Sequence, residues 1–227
     1  MLEPVKREDF NLVISPGSIY NLAQAPESHF SKVLEQFKKF AVGKYFWFIA
    51  DLVQGDFHQV GGMPEEITSI SKEIYLSSGP DILFQRAHPE DIQSLFAFTN
   101  QWIALLMSLP VEKRIEQHSS FFIRLKNKAG LYKWVMIQYA DHIYDEQGNI
   151  LFALTFVTDI SHIKKEGPAL MSILDTSNET CQHFFCSNSQ QLEPGKIPLP
   201  KMSKREVEVL GRIAIGLSSK QIAGELN

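Results

Sequence analysis

Phe30, Val33, Leu34, Phe37 and Ala41 recur at spacings of three and four, which places them on one face of a helix over residues 27–42. Lys38 and Lys39 lie in its last turn and Gly43 follows, as the helix dipole and a C-terminal cap favour. The period then changes. Residues 45–53, YFWFIADLV, are too short and too aromatic for a free helix and predict a strand buried on both faces. Gln54, Gly55 and Asp56 turn the chain into a second strand, FHQVGG, so a hairpin opens the main domain. Helical segments follow. The clearest begins at His88, Pro89, Glu90 and Asp91, with proline at the first helical position and two acids in the first turn. Ile92, Leu95, Phe96, Trp102, Ile103 and Leu106 continue it until Pro110.

Beyond Pro110 the pattern becomes strands: SSFFIRLKN, a turn at Lys128, Ala129 and Gly130, LYKWVMIQYADHIYD, a turn at residues 146–149, and ILFALTFVTDI. Two strands, several helices and a three-stranded meander predict an α+β domain, one five-stranded antiparallel sheet with helices gathered on one face. In residues 162–187, MSIL and CQHFFC flank the turn-rich DTSNET, which favours an appended hairpin over a helix and leaves a plain connector open. Residues 188–201 hold three prolines and a glycine without apolar period and read as a linker. The expected organisation is an N-terminal helical extension at 1–43, a main domain at 44–161, the hairpin or connector at 162–187, the linker, and a helical tail at 202–227.

The tail opens with Ser203 and Glu206, a capping box for a helix carrying Val207, Leu210, Ile213 and Ala214 on one face. Gly216 ends it, and Ser218 with Gln221 makes a second box before Ile222, Ala223 and Leu226. Charge sharpens the picture. The whole chain is at −4, yet residues 201–227 hold five Lys/Arg against three acids. A basic tail on an acidic body is the asymmetry of a small nucleic-acid module on its carrier.

The string MSKREVEVLGRIAIGLSSKQIAGELN resembles the LuxR/GerE family of DNA-binding domains, with Met202 where that family usually has Leu. The resemblance implies a helix-turn-helix, here an all-α partial one. The family's next elements are a turn, a recognition helix and a dimerisation helix, and this sequence stops at Asn227 before them. The chain as written is therefore not expected to read a DNA sequence, since bases are read by the helix in the major groove. Ser219 and Lys220, at the start of the second helix, are candidates for phosphate contact.

In order and in local strings, residues 45–160 resemble a PAS domain: YFWFIADLVQGDFHQVGG as the first hairpin, HPED before a helix, and the ending RLKNKAGLYKWVMIQYADHIYDEQGNILFALTFVTDIS. The resemblance implies a cavity between sheet and helices where a small ligand or cofactor sits. Phe46, Phe48, Trp134, Met136, Phe152, Leu154 and Phe156 are the candidate lining, with plain core packing as the competing reading. A flavin-adduct cofactor is not expected, because Cys181 and Cys186 both fall after the last PAS strand. Haem needs an axial histidine, and His88 and His118 are only nominal candidates. The seven histidines show no i, i+4 pair and no acid-rich cluster, so no metal site is expected.

Composition narrows the rest. At 44% apolar and 21% charged, the chain has ample material for a core. The start carries acids and a proline where a secretion signal needs an apolar run, and no stretch of about 18 apolar residues occurs, so a cytoplasmic location without membrane insertion is expected. Asp51, Asp56 and His58 are close in sequence, but no nucleophile elbow, phosphate loop or metal box accompanies them, and an enzyme is not expected. The resemblances together imply a signal-sensing transcriptional regulator, a homodimer that presents two DNA-binding units to two half-sites. The spare apolar face of the 27–42 helix is the candidate dimer contact. The alternative is a protein-interaction module whose cavity is filled by its own side chains.

Overall fold

A computed structural model of the protein describes residues 25–79, 81–186, 192–194, 203–214 and 217–226. The chain divides into two compact units, residues 1–194 and 195–227.

The first unit opens with helix α1 (Pro26–Phe40), followed by β1 (Tyr45–Asp51) and β2 (Asp56–Gly62). Strand β1 ends two residues earlier than its apolar run, because the Asp51 carboxylate accepts hydrogen bonds from the amides of Val53 and Gln54, both at 2.9 Å, and pulls the chain into its turn. Across this hairpin, a Cβ on Gly61 would come within 2.3 Å of the Trp47 indole, so only glycine lets the ring lie flat there.

Three short helices, α2 (Pro64–Thr68), α3 (Lys72–Leu76) and α4 (Asp81–Phe84), lead to a 3₁₀ turn at Pro89–Asp91 and the long helix α5 (Ile92–Ser108). The acids of that turn are more than helix-start signals. Asp91, 2% exposed, takes a bidentate pair from Arg124 at 2.9 and 2.6 Å and also the Arg124 amide at 2.8 Å. The start of α5 is thereby fixed to β3 (Gln117–Lys126). After the short α6 (Val111–Arg114), strands β3, β4 (Tyr132–Tyr144) and β5 (Ile150–Asp159) form the meander.

All strands pair antiparallel in one eight-stranded sheet of order β2-β1-β5-β4-β3-β6-β7-β8. The first five have the order β2-β1-β5-β4-β3, the α+β layout that the PAS resemblance implies. Residues 162–187 contain β6 (Leu170–Asp175) and β7 (Thr180–Cys186), a hairpin that extends the sheet beyond β3 with Phe121 opposite Met171. A short β8 (Leu192–Pro194) pairs with β7 inside the stretch expected as linker. The remainder of that linker, and residues 1–24 of the N-terminal extension, lie outside the described residues.

The sheet has a core on each face. On the inner face, under α2–α5, lie Phe46, Phe57, Tyr75, Phe98, Phe121 and Val157. On the outer face Phe30 of α1, fully buried, covers Ile49, Phe152, Leu154 and Phe156. Beyond the helices expected on one face, α1 therefore covers the other, and its apolar stripe is not spare.

In the second unit, α7 (Lys204–Ala214) and α8 (Ser219–Glu225) are the two expected capped helices. Ser203 and Glu206 exchange both bonds of the first box, at 2.6 and 3.2 Å, and the Ser218 amide donates to Gln221 Oε1 at 2.9 Å. Arg212 of α7 pairs with Glu225 of α8 at 2.9 Å. Ile222 is buried, whereas Val207, Leu210 and Ile213 of α7 are exposed.

Candidate functional site

The twisted inner face of the sheet and α5 do not close on one another completely. Between them is a cavity of about 100 Å³. Phe48 and Ala50 of β1, Phe57 of β2, Ile137, Tyr139 and His142 of β4, and Ala153 and Thr155 of β5 form its sheet side. Leu83 and Phe84 of α4 and Leu95, Thr99, Trp102, Ile103 and Leu106 of α5 form the opposite side. Strand register explains the set: Thr155 lies opposite both Phe48 and Tyr139 in the ladders, so all three project to the same face.

Most of this wall is apolar, and its few polar groups differ in how they are satisfied. Thr99 donates to the Leu95 carbonyl at 2.9 Å. Burial, outweighing the influence of the Thr99 hydroxyl, pushes the Tyr139 phenol up to about 12. The indole N–H of Trp102 and the hydroxyl of Thr155 are both buried with no hydrogen-bond partner among the described residues. His142, partly buried, is also part of the wall. Burial first, and the Arg114 charge second, pushes its imidazole down to about 4, so it is neutral at pH 7. Arg114 itself is 7% exposed and held by the carbonyls of Leu109 and Gly148, at 3.0 and 2.6 Å, with its guanidinium over the Tyr144 ring.

Of the seven residues expected to line a cavity, Phe48 does. Phe46 is on the same face but belongs to the neighbouring packed core, against Tyr75. The structure places the other five elsewhere. Phe152, Leu154 and Phe156 lie under α1 on the outer face. Trp134 donates to the Lys165 carbonyl at 3.2 Å and is overlain by Lys164 and Arg124. Met136 alternates with Val135 and Ile137, which face the inner core, and so shares the outer side with Trp134. Trp102 and Thr155 carried a usable signal: polar atoms on stretches otherwise too apolar to be exposed.

The remaining candidates are dispersed. His88 accepts from the Glu90 amide at 3.3 Å and packs on Tyr132, while His118 lines a separate cleft with His29 and Asp141. Neither lines the cavity. Asp51 caps its turn, Asp56 is exposed, and His58 meets Glu27 of α1 at 2.6 Å. Among the described residues no group of three or more His, Cys, Asp or Glu could hold a metal ion, and no helix is long and apolar enough to cross a membrane. Cys181 is a free, exposed thiol. Ser219 and Lys220 are exposed on the first turn of α8.

Residues 200–227 match the family described as bacterial regulatory proteins, luxR family. A comparison with curated proteins finds no match. Among solved structures, the chain is similar to a PAS domain from Colwellia psychrerythraea at 21% identity and a TM-score of 0.37, covering 58% of this chain and 98% of that one. It is similar to the PAS-B domain of Drosophila melanogaster Cycle, solved with ethylene glycol, at 14% identity and 0.37, covering 51% and 99%. The Vibrio cholerae VqmA dimer, described as a LuxR-type receptor, is similar at 16% identity and 0.35, covering 84% and 71%. The chain joins an α+β domain, built on one antiparallel sheet, to a C-terminal segment, residues 200–227, that matches the luxR family of bacterial regulatory proteins.

Proposed function

We propose that this protein is a cytoplasmic, non-enzymatic transcriptional regulator whose PAS-like domain senses a small molecule and controls a LuxR-type DNA-binding domain. The observation that carries this reading is a pairing on one chain: a segment that matches the luxR family, and a sheet domain whose cavity wall contains buried polar groups without partners among the described residues. Structures without ligand retain such groups where a bound molecule completes their hydrogen bonds. In this reading DNA is bound as a homodimer, because two half-sites give tight specific binding only to two linked units. Ser219 and Lys220 touch phosphate, while the bases are read by the family's recognition helix.

The test compares this chain with a version extended through the remaining LuxR-type helices, by fluorescence anisotropy on promoter DNA over a salt series. The extended form should bind specifically, with affinity falling steeply as salt rises, and the present chain should not. Filling the cavity with Ala153→Leu should then change the DNA affinity of the extended form. If that form binds DNA and the filled cavity leaves its affinity unchanged, the sensing half of the proposal falls.

The small volume of the cavity favours a second reading, an interaction module whose interior needs no ligand. Native mass spectrometry of gently purified protein separates the two by the presence or absence of a retained small mass.

A further inference from the structure

Resting on the sensor reading, we infer the chemistry of the signal: a small uncharged molecule with a hydrogen-bond acceptor, held by the Trp102 indole N–H and the Thr155 hydroxyl.

Size comes first. The cavity of about 100 Å³ is well below the roughly 300 Å³ at which drug-sized pockets begin, and below the roughly 150 Å³ that admits benzene. It therefore selects molecules smaller than benzene, of about four heavy atoms. Charge comes second. The lining contains no carboxylate, ammonium or guanidinium, and a desolvated ion there would have no counter-charge within hydrogen-bond reach. Arg114, the cation nearest His142, is already taken up by two backbone carbonyls and the Tyr144 ring.

Polarity comes third. Trp102 and Thr155 are each 1% exposed and lie on opposite sides of the cavity, one on α5 and one on β5. Of the other wall hydroxyls, Thr99 donates to the Leu95 carbonyl and Tyr139 is not among the buried unpartnered groups, so the unmet demand of buried atoms in the wall is that of these two. An indole N–H can only donate and a hydroxyl can do both, so the common complement is an acceptor oxygen or nitrogen. An apolar body fills the space between, against Phe48, Leu106 and Ile137. A site of this kind rejects an isostere that lacks the acceptor, because binding it leaves two buried polar groups unpaired.

Three probes of about four heavy atoms each separate these demands: acetone, isobutane and isopropylammonium. The readout is the indole ¹⁵N–¹H resonance of Trp102 in the full 227-residue chain, identified among the three tryptophans by its loss in Trp102→Phe. Acetone should shift this resonance saturably, isobutane should bind about tenfold or more weakly, and the ammonium should not bind. Thr155→Val should remove the ketone's advantage while leaving isobutane binding unchanged, which an unfolded variant could not do. Equal or tighter binding of isobutane, or saturable binding of the ammonium, overturns the proposal. So does the absence of any saturable shift, with long-lived water beside the Trp102 N–H as the expected accompaniment. The sensor reading fails separately: a ketone that binds as expected but leaves the extended chain's DNA affinity unchanged keeps the site and removes its regulatory role.

Discussion

The ring of Phe37 lies over the ring of Phe156, with centroids 3.7 Å apart and planes 12° from parallel. This stack fastens α1 to the outer face of the sheet, and Phe30, fully buried about two turns earlier, completes the attachment. An apolar helix face that reads as free for a partner is thus used within the chain. Substituting Phe30 by a charged residue would bury an ion and strip α1 from the sheet, so it could not report on dimer formation alone.

Phe37→Ala should cost about 1–2 kcal/mol, in proportion to a half-buried aromatic, and should raise amide exchange selectively in α1. Phe40→Ala, at a position 77% exposed, should change neither. Urea denaturation with hydrogen-exchange mass spectrometry reads both effects.

The Asp91–Arg124 pair predicts a sharper loss. Asp91→Asn breaks a bidentate bond of a carboxylate 2% exposed and should destabilise the chain by about 3 kcal/mol. Glu90 also reaches Arg124, at 2.9 Å, but its side chain is 74% exposed, and Glu90→Gln should cost at most about 0.5 kcal/mol. Equal losses from the two variants would contradict the burial argument.

His142 should make stability depend on pH. Its folded imidazole is pushed down to about 4, while in the unfolded chain it titrates near its ordinary value of 6.5. Its contribution is full above pH 6.5. As pH falls toward 4, the unfolded state takes up a proton that the folded state refuses, and stability declines. Below about pH 4 both states are protonated and the decline stops. Because the residue is only partly buried, the loss should be on the order of 1–2 kcal/mol, and His142→Gln should flatten this part of a thermal-stability profile.

Thr155→Val should raise the stability of the ligand-free chain by about 1 kcal/mol, since it removes a buried hydroxyl that has no protein partner and keeps the side chain's shape. The measurement is the urea midpoint at unchanged slope. A lowered midpoint would mean that the hydroxyl is already satisfied, by bound water, in the ligand-free state.

The sequence by itself determined the elements whose causes are local. Ser203 with Glu206 and Ser218 with Gln221 announce two helix starts through side chains that reach only three residues. Asp51 and Gly55 place the first hairpin turn, and Pro89 with two acids places the start of the long helix. The match of residues 200–227 to the luxR family was legible for a similar reason, being one unbroken string.

Only the tertiary structure decided which side of each strand faces the cavity. In β5 every residue from Leu151 to Thr158 is buried, because α1 covers one face and α4–α5 the other, so no alternation of apolar and polar residues marks the inner side. Side chains along a strand alternate between faces, and a choice of parity moves the whole set together. Phe152, Leu154 and Phe156 therefore lie under α1 while Ala153 and Thr155 line the cavity. That parity was set by contacts far apart in the chain, Phe156 with Phe37 on one side and Thr155 near α5 on the other, which a pattern read along neighbouring residues does not contain.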